Sequence, residues 1–305
     1  AYHNDGLNVV SCRNVRIANC DLSSSDDALC LKSSSKDFVE NVLIENCRLS
    51  SFSNAFKMGT ESSGGFRNIT VRNCLMHDSR LSGVALQIVD GGTMENIDIS
   101  NLTLRNVNGG IAIRLGNRAR PATPDMPKPG VGAIRNVRIW NVVATGMGKW
   151  KPDSSNGKYY KDVRSPLIGS SITGIPGHPV ENVTLENIRM DFWGGGERKL
   201  MAVKVPENEA GYPEFSMFGP LPAYGFYVRH ARGITFTDVK LEFRHEDQRP
   251  ALVMDDVHDV QITGLVADIG VDAPAFVWLN QVHGARIGNS QPSKPTGTFL
   301  RVDGA

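Results

Sequence analysis

The sequence predicts an all-β fold: a right-handed, single-stranded parallel β-helix. Two observations lead there. A block of about eleven residues recurs along the 305-residue chain, the early copies 27 residues apart. Within each copy, asparagines fall at two fixed positions.

The copies follow in order. CRNVRIANCDL begins at Cys12, VENVLIENCRL at Val39, FRNITVRNCLM at Phe66 and MENIDISNLTL at Met94. IRNVRIWNVVA begins at Ile134 and VENVTLENIRM at Val180, with weaker copies near Ile234 and Val260. Each holds a short alternating stretch, such as Val15–Ile17 or Val42–Ile44, which reads as a strand with one buried face. A second short strand precedes each copy: LCLKS at Leu29, FKMGT at Phe56, VALQI at Val84, IAIRL at Ile111, GFYVR at Gly225 and ALVMD at Ala251. Ser, Gly, Asn and Asp fill the gaps as turn residues. No amphipathic helix of ten residues is evident. Such a unit cannot bury its own apolar face, so it must stack on copies of itself, about nine coils in one domain spanning 1–305. Stacking sets equivalent residues roughly 4.8 Å apart.

Asn14, Asn41, Asn68, Asn96, Asn136 and Asn182 share one repeat position. Asn19, Asn46, Asn73, Asn101, Asn141 and Asn187 share another. Asparagine tolerates the left-handed backbone of a tight turn, and its amide can bond to its counterpart in the next coil. Both sets read as structural ladders. Cys20, Cys47 and Cys74 also recur at 27-residue intervals, which suits buried repeat positions better than a disulfide framework. Three insertions break the period, at 119–131, 145–167 (with Trp150, Tyr159 and Tyr160) and 192–224. In a solenoid these become loops on one face, often the binding face. The chain starts inside a repeat, which raises the expectation of further coils before Ala1.

Composition narrows the function classes. The formal net charge is +1, so no strong field points to nucleic acid or an anionic membrane. No apolar run approaches a membrane span. HExxH, paired CxxC and P-loop signatures are absent.

Two acidic motifs sit one coil apart: His3-Asn4-Asp5-Gly6 and Ser25-Asp26-Asp27-Ala28. Each precedes a coil's opening strand, so stacking should bring Asp5 beside Asp26 and Asp27. Three adjacent carboxylates repel, and at least one is expected to hold its proton more tightly. A protonated acid beside an ionised group is what glycoside hydrolysis requires. Asp255-Asp256 reads as a turn, and His178 and His230 as structural.

On these residues the chain resembles polygalacturonases and their relatives, glycoside hydrolase family 28, whose fold is the pectin-lyase-like solenoid. The family carries Asn-Thr-Asp-Gly, Asp-Asp, Gly-His-Gly and Arg-Ile-Lys on successive coils. Asn4-Asp5-Gly6 and Asp26-Asp27 match the first two, and the likeness runs from Asn4 to about Arg118. The resemblance implies Asp26 as general acid, Asp5 and Asp27 activating water, inversion of configuration, and no cofactor or metal. The third motif falls on Ser53-Asn54-Ala55 and the fourth on Ala85-Leu86-Gln87, so the histidine and both cations are replaced. The family uses those cations to hold a uronate, so the likeness points away from plain homogalacturonan and toward rhamnogalacturonan-type polymers or oligosaccharides.

Substrate contacts are expected from Asn4, Asn54, Lys57, Glu61, Arg80, Gln87 and Arg114. Lys57, Gln87 and Arg114 are expected to stack on one face with Lys32. The resemblance then implies a pectic polysaccharide or oligosaccharide as partner and a secreted or periplasmic location; no nucleic acid and no membrane is expected. Oligomeric state is not written in the sequence. Two other readings stand: a calcium-dependent polysaccharide lyase using the same aspartates, and a non-catalytic glycan-binding β-helix.

Overall fold

A computed structural model describes residues 3–148 and 167–304. Its strands form one stack in which every pairing between strands is parallel. One wall starts with Leu7–Val10, Leu29–Ser33 and Phe56–Ser62 and ends with Val277–Gly288 and Leu300–Asp303. Its register steps one coil at a time, Leu7↔Leu29↔Phe56↔Val84↔Ile111. A second wall starts with Arg13–Ala18 and Val39–Glu45, in the register Val15↔Val42↔Ile69↔Ile97↔Val137↔Val183.

The alternation expected from sequence decides what lies inside. Phe56, Phe66, Phe226, Phe236 and Phe276 are fully buried, alongside Leu29, Leu31, Ile44 and Met58. Each such side chain contributes about 1.5–3 kcal/mol relative to exposure. Cys47 and Cys74 are buried in the same core and Cys20 is half-buried beside it. All five cysteines are free thiols. Burial pushes the Cys74 thiol up to about 11, so it stays protonated and packs as a small apolar group.

One expectation is corrected. The sequence suggests short separate strands in each coil, but Phe66–Ile88 and Thr93–Leu115 each run 23 residues without a break. The chain turns its corners without leaving the ladder, because single residues at the bends take left-handed backbone. Asn68, Asn73, Asp78, Asn96, Asn101 and Asn106 all have φ between 49° and 58°.

Those asparagines also bond along the stack. Nδ2 of Asn41, Asn68, Asn96, Asn136 and Asn182 each donates to Oδ1 of the counterpart one coil earlier, at 3.0–3.3 Å. Asn73, Asn101, Asn141 and Asn187 repeat the pattern at 2.8–3.3 Å. The first ladder meets Gly233 after Asn182, where an added Cβ would lie 2.5 Å from the Asn182 amide oxygen.

The 192–224 insertion folds back over the first wall as a strap. The preceding strand, Val180–Gly194, runs further than expected, and a short 3-10 turn, Arg198–Ala202, follows it. The strap is rooted on a fully buried ion pair. Arg249 Nε and Nη2 donate to the two oxygens of Asp247 at 2.9 and 2.7 Å. Arg249 Nη1 donates to the carbonyls of Leu167, Leu221 and Ala223. Of the 145–167 insertion, residues 149–166 lie outside the described residues, Trp150, Tyr159 and Tyr160 among them. The 119–131 segment is tied to Asp90, which accepts from Arg118 Nε at 2.9 Å and from the Arg120 amide at 3.0 Å.

Asn68→Ala should cost about 1–3 kcal/mol, combining left-handed strain with the loss of two ladder bonds. Asn68→Gly removes the strain and should cost less; denaturant unfolding of both variants checks the order.

Candidate active site

The turn ahead of the first strand rests on the turn ahead of the second. The Asp26 amide donates to the Asn4 carbonyl at 3.0 Å, and the Gly6 amide to the Asp27 carbonyl at 2.9 Å. A Cβ at Gly6 would stand 2.5 Å from the Ala28 carbonyl oxygen, so this approach requires glycine. Asp5, Asp26 and Asp27 converge as a result: one oxygen of each lies within 4.8 Å of the others.

The three carboxylates differ in surroundings. Asp5 Oδ2 pairs with Lys32 Nζ at 2.6 Å, and Oδ1 accepts the Asp27 amide at 3.1 Å. Partial burial opposes its charge, but hydrogen bonds from Lys32 and Asn8 and the ammonium charge outweigh that and hold Asp5 below the ordinary aspartate value. Repulsion was expected to push one carboxyl up; at Asp5 the adjacent ammonium reverses the sign. Asp27 is buried, with Oδ1 accepting from Asn54 N at 3.1 Å and Asn54 Nδ2 at 2.9 Å, and Oδ2 facing Lys57 Nζ at 3.1 Å. That donor set suits a carboxylate. Asp26 is the most open, its side chain 29% exposed, with His3 Nδ1 at 3.5 Å and the Asp27 amide donating to Oδ1 at 3.0 Å.

Lys57 and Asn54 sit at this cluster, but with partners the sequence did not disclose. The strap delivers Glu214, whose Oε1 is 3.3 Å from Lys57 Nζ and whose Oε2 accepts from Asn54 Nδ2 at 3.2 Å. It also delivers Tyr212, whose ring centroid is 5.4 Å from the same ammonium. Burial opposes the Lys57 charge, yet Glu214 and Asp27 hold its pKa well above the ordinary lysine range. Nothing local in GYPEF marks these residues; only their place in an insertion hinted at a role.

Gln87 and Arg114 lie on the same face but are covered. Both are buried under the strap: Gln87 Nε2 donates to the Pro213 carbonyl at 2.6 Å. Arg114 donates to the carbonyls of Gly174, Glu207 and Asn208 at 2.9, 2.7 and 3.2 Å. They hold the strap rather than offer donors to a ligand. The single polar ladder is also corrected. Lys57 lies in the row Cys30↔Lys57↔Ala85↔Ala112, whereas Gln87↔Arg114↔Thr173 form a second row two residues on. A bulge after Leu31 takes Lys32 out of simple register with the next strand.

Glu61 accepts a hydrogen bond from Ser34 Oγ. Arg80 is half-buried and its carbonyl accepts from Asn108 Nδ2 at 2.8 Å. Asn4 is exposed and joins the cluster through its backbone. Asp255 and Asp256 lie within the strand Leu252–Thr263 rather than in a loop, because Asp256 at φ 54° bends the strand without ending it. His178 closes a tight turn with Ile175. His230 bridges Asp256 Oδ2 at 2.6 Å and the strap's Glu207 Oε2 at 3.1 Å.

The Asp5–Lys32 pair has a defined pH window. Asp5 is held low, so its stabilising share is complete above about pH 4 and fades as pH falls through the lowered native value. Burial opposes the Lys32 charge, but Asp5 holds its pKa above the usual lysine value, so that share fades only as pH rises through the raised value. In Lys32→Met, only the hydrogen bonds from Asn8 and the Asp27 amide are left to offset the burial of Asp5. A carbon-detected NMR titration should show the Asp5 carboxyl titrating at higher pH than in the unsubstituted protein.

No curated protein and no solved structure matches the chain. Residues 5–121 match the family model described as "Right handed beta helix region". Taken with the parallel pairing of the strands, that match makes this chain an all-β right-handed parallel β-helix.

Proposed function

We propose that the chain is a glycoside hydrolase cleaving α-linked galacturonic acid bonds in pectic polysaccharide, of rhamnogalacturonan type or as oligosaccharide. The observation that carries this reading is the meeting of Asp5, Asp26 and Asp27, oxygens within 4.8 Å, in three unlike environments. Asp26 is the open carboxyl, placed to give its proton to a leaving glycosidic oxygen. Asp5, held ionised beside Lys32, and Asp27, facing Lys57 and Asn54, orient the attacking water. The oxygens stand closer than the roughly 6.5–9.5 Å usual for inverting pairs. Inversion rests on the resemblance, with two carboxylates sharing one water.

Charge matching bears on the substrate. Lys57 is already met by Asp27 and Glu214, and Lys32 by Asp5, so neither is spare for a uronate at the scissile bond. A neutral neighbouring sugar fits better. Such polymers are met outside the cytoplasm, so the reading carries an expectation of secretion or a periplasmic location.

The compact aspartate cluster also favours a second reading, a lyase holding a divalent cation there. Two of its carboxylates, however, already carry ammonium partners that would repel the cation.

A screen of pectic polymers and oligosaccharides, with the product anomer followed by NMR, tests the proposal. Hydrolysis with inversion is expected, and Asp26→Asn should lower turnover about 10²–10⁴-fold. Unsaturated, ultraviolet-absorbing products abolished by chelator would establish the lyase instead. Binding without release of sugar from any substrate would leave a glycan-binding module.

A further inference from the structure

The two outward rows of the first wall continue past the strap. From Lys57 the register runs through Ala85, Ala112 and Ser171 to Tyr227, Val253 and Trp278. From Gln87 it runs through Arg114 and Thr173 to Arg229, Asp255 and Asn280. Between the two stretches, Phe215 and Phe218 of the strap pack near Ala112 and close the surface. Beyond them the face opens again into a cavity of about 460 Å³, lined by Lys204, Val205, Tyr227, Val253, Asp255 and Trp278 among others. It lies roughly 20–30 Å along the stack from Lys57, four to six rungs away.

The chemistry of this cavity differs from that of the aspartate cluster. Its one carboxylate is taken: Asp255 Oδ1 accepts from Asn280 Nδ2 at 2.6 Å, and Oδ2 meets Tyr227 Oη and Arg229 Nε, both at 3.3 Å. Arg229 is also held by the Val205 carbonyl at 2.8 Å and by Glu207. No second acid stands opposite Asp255 in the lining, so the cavity lacks the pair that hydrolysis needs. Trp278 is half-buried, its Nε1 donating to Asp303 Oδ2 at 2.8 Å and the Arg301 guanidinium 5.0 Å from its ring centroid, so the indole is fixed in orientation with part of its surface lining the cavity. Lys204 is exposed and forms no ion pair among the described residues, which leaves one cation at the mouth beside an aromatic wall.

We infer that this cavity is a second, non-catalytic binding site for a uronate-bearing sugar, its ring against Trp278 and its carboxylate on Lys204. The choice of a uronate rests on the hydrolase reading; the aromatic wall, the matched Asp255 and the unmatched Lys204 do not. A polymer engaged here would be tethered near the aspartates while its cleaved part leaves.

The test uses the full chain carrying Asp26→Asn, which slows turnover enough for a titration, with trigalacturonate as the ligand. The Trp278 indole N–H resonance, identified by its loss in Trp278→Phe, should shift saturably. Lys204→Glu should weaken the apparent affinity at least tenfold with an unchanged thermal midpoint, and a neutral galactose trisaccharide should bind more weakly than the uronate. A resonance that does not move, or moves with equal affinity in Lys204→Glu, overturns the inference. If no pectic substrate is cleaved yet the resonance shifts, the hydrolase reading falls and this one stands. Cleavage without a shift gives the reverse.

Discussion

Everything in this molecule depends on the fixed step of parallel strand pairing. One rung of about 4.8 Å separates equivalent residues on neighbouring coils, and a slip of one residue would turn every side chain to the opposite face. Apolar rows such as Leu29–Phe56–Val84–Ile111 oppose that slip from inside. The asparagine ladders oppose it from outside, since each amide finds its partner only when the coils are aligned. Surface ion pairs along the second wall, such as Glu45 between Arg16 and Arg72, follow the same step but add little each. Asp5 meets Asp26 and Asp27 because the register is kept, not because the aspartates attract.

The strap adds what the solenoid cannot. A stacked coil offers flat rows of side chains, whereas a site needs walls. Glu214 and Tyr212 complete the surroundings of Lys57, and the strap's backbone occupies Gln87 and Arg114. The same segment separates the aspartates from the cavity at Trp278. Two compartments of unlike charge therefore share one face, one rich in matched ammonium groups and the other holding an unmatched one.

Much of the fold was legible in the chain. Period, inward residues, asparagine positions and the approach of Asp5 to Asp26 and Asp27 all follow from repetition, because a solenoid turns sequence offset into distance. The continuous strands escaped because an asparagine in left-handed backbone looks like a loop residue while still keeping the ladder. Asp256 escaped for the same reason. Glu214 escaped because an insertion obeys no period: its distance from Lys57 is set by how 192–224 folds back. Gln87 and Arg114 show the converse. Their outward face was readable, though not their row, and whether outward meant open or covered depended on that same fold-back.

The root of the strap lies at Arg249, far along the chain from its tip at Glu214 beside Lys57. Asp247 and Arg249 have no contact with the aspartate cluster, yet they fix the carbonyls of Leu221 and Ala223 from which the strap hangs. The arrangement is that of a beam held at both ends, by Arg249 at its root and by Lys57, Asn54 and Gln87 at its tip. A change near position 250 would thus loosen the strap's anchorage at Leu221 and Ala223 while leaving the stacked coils, whose order rests on the strand register, in place.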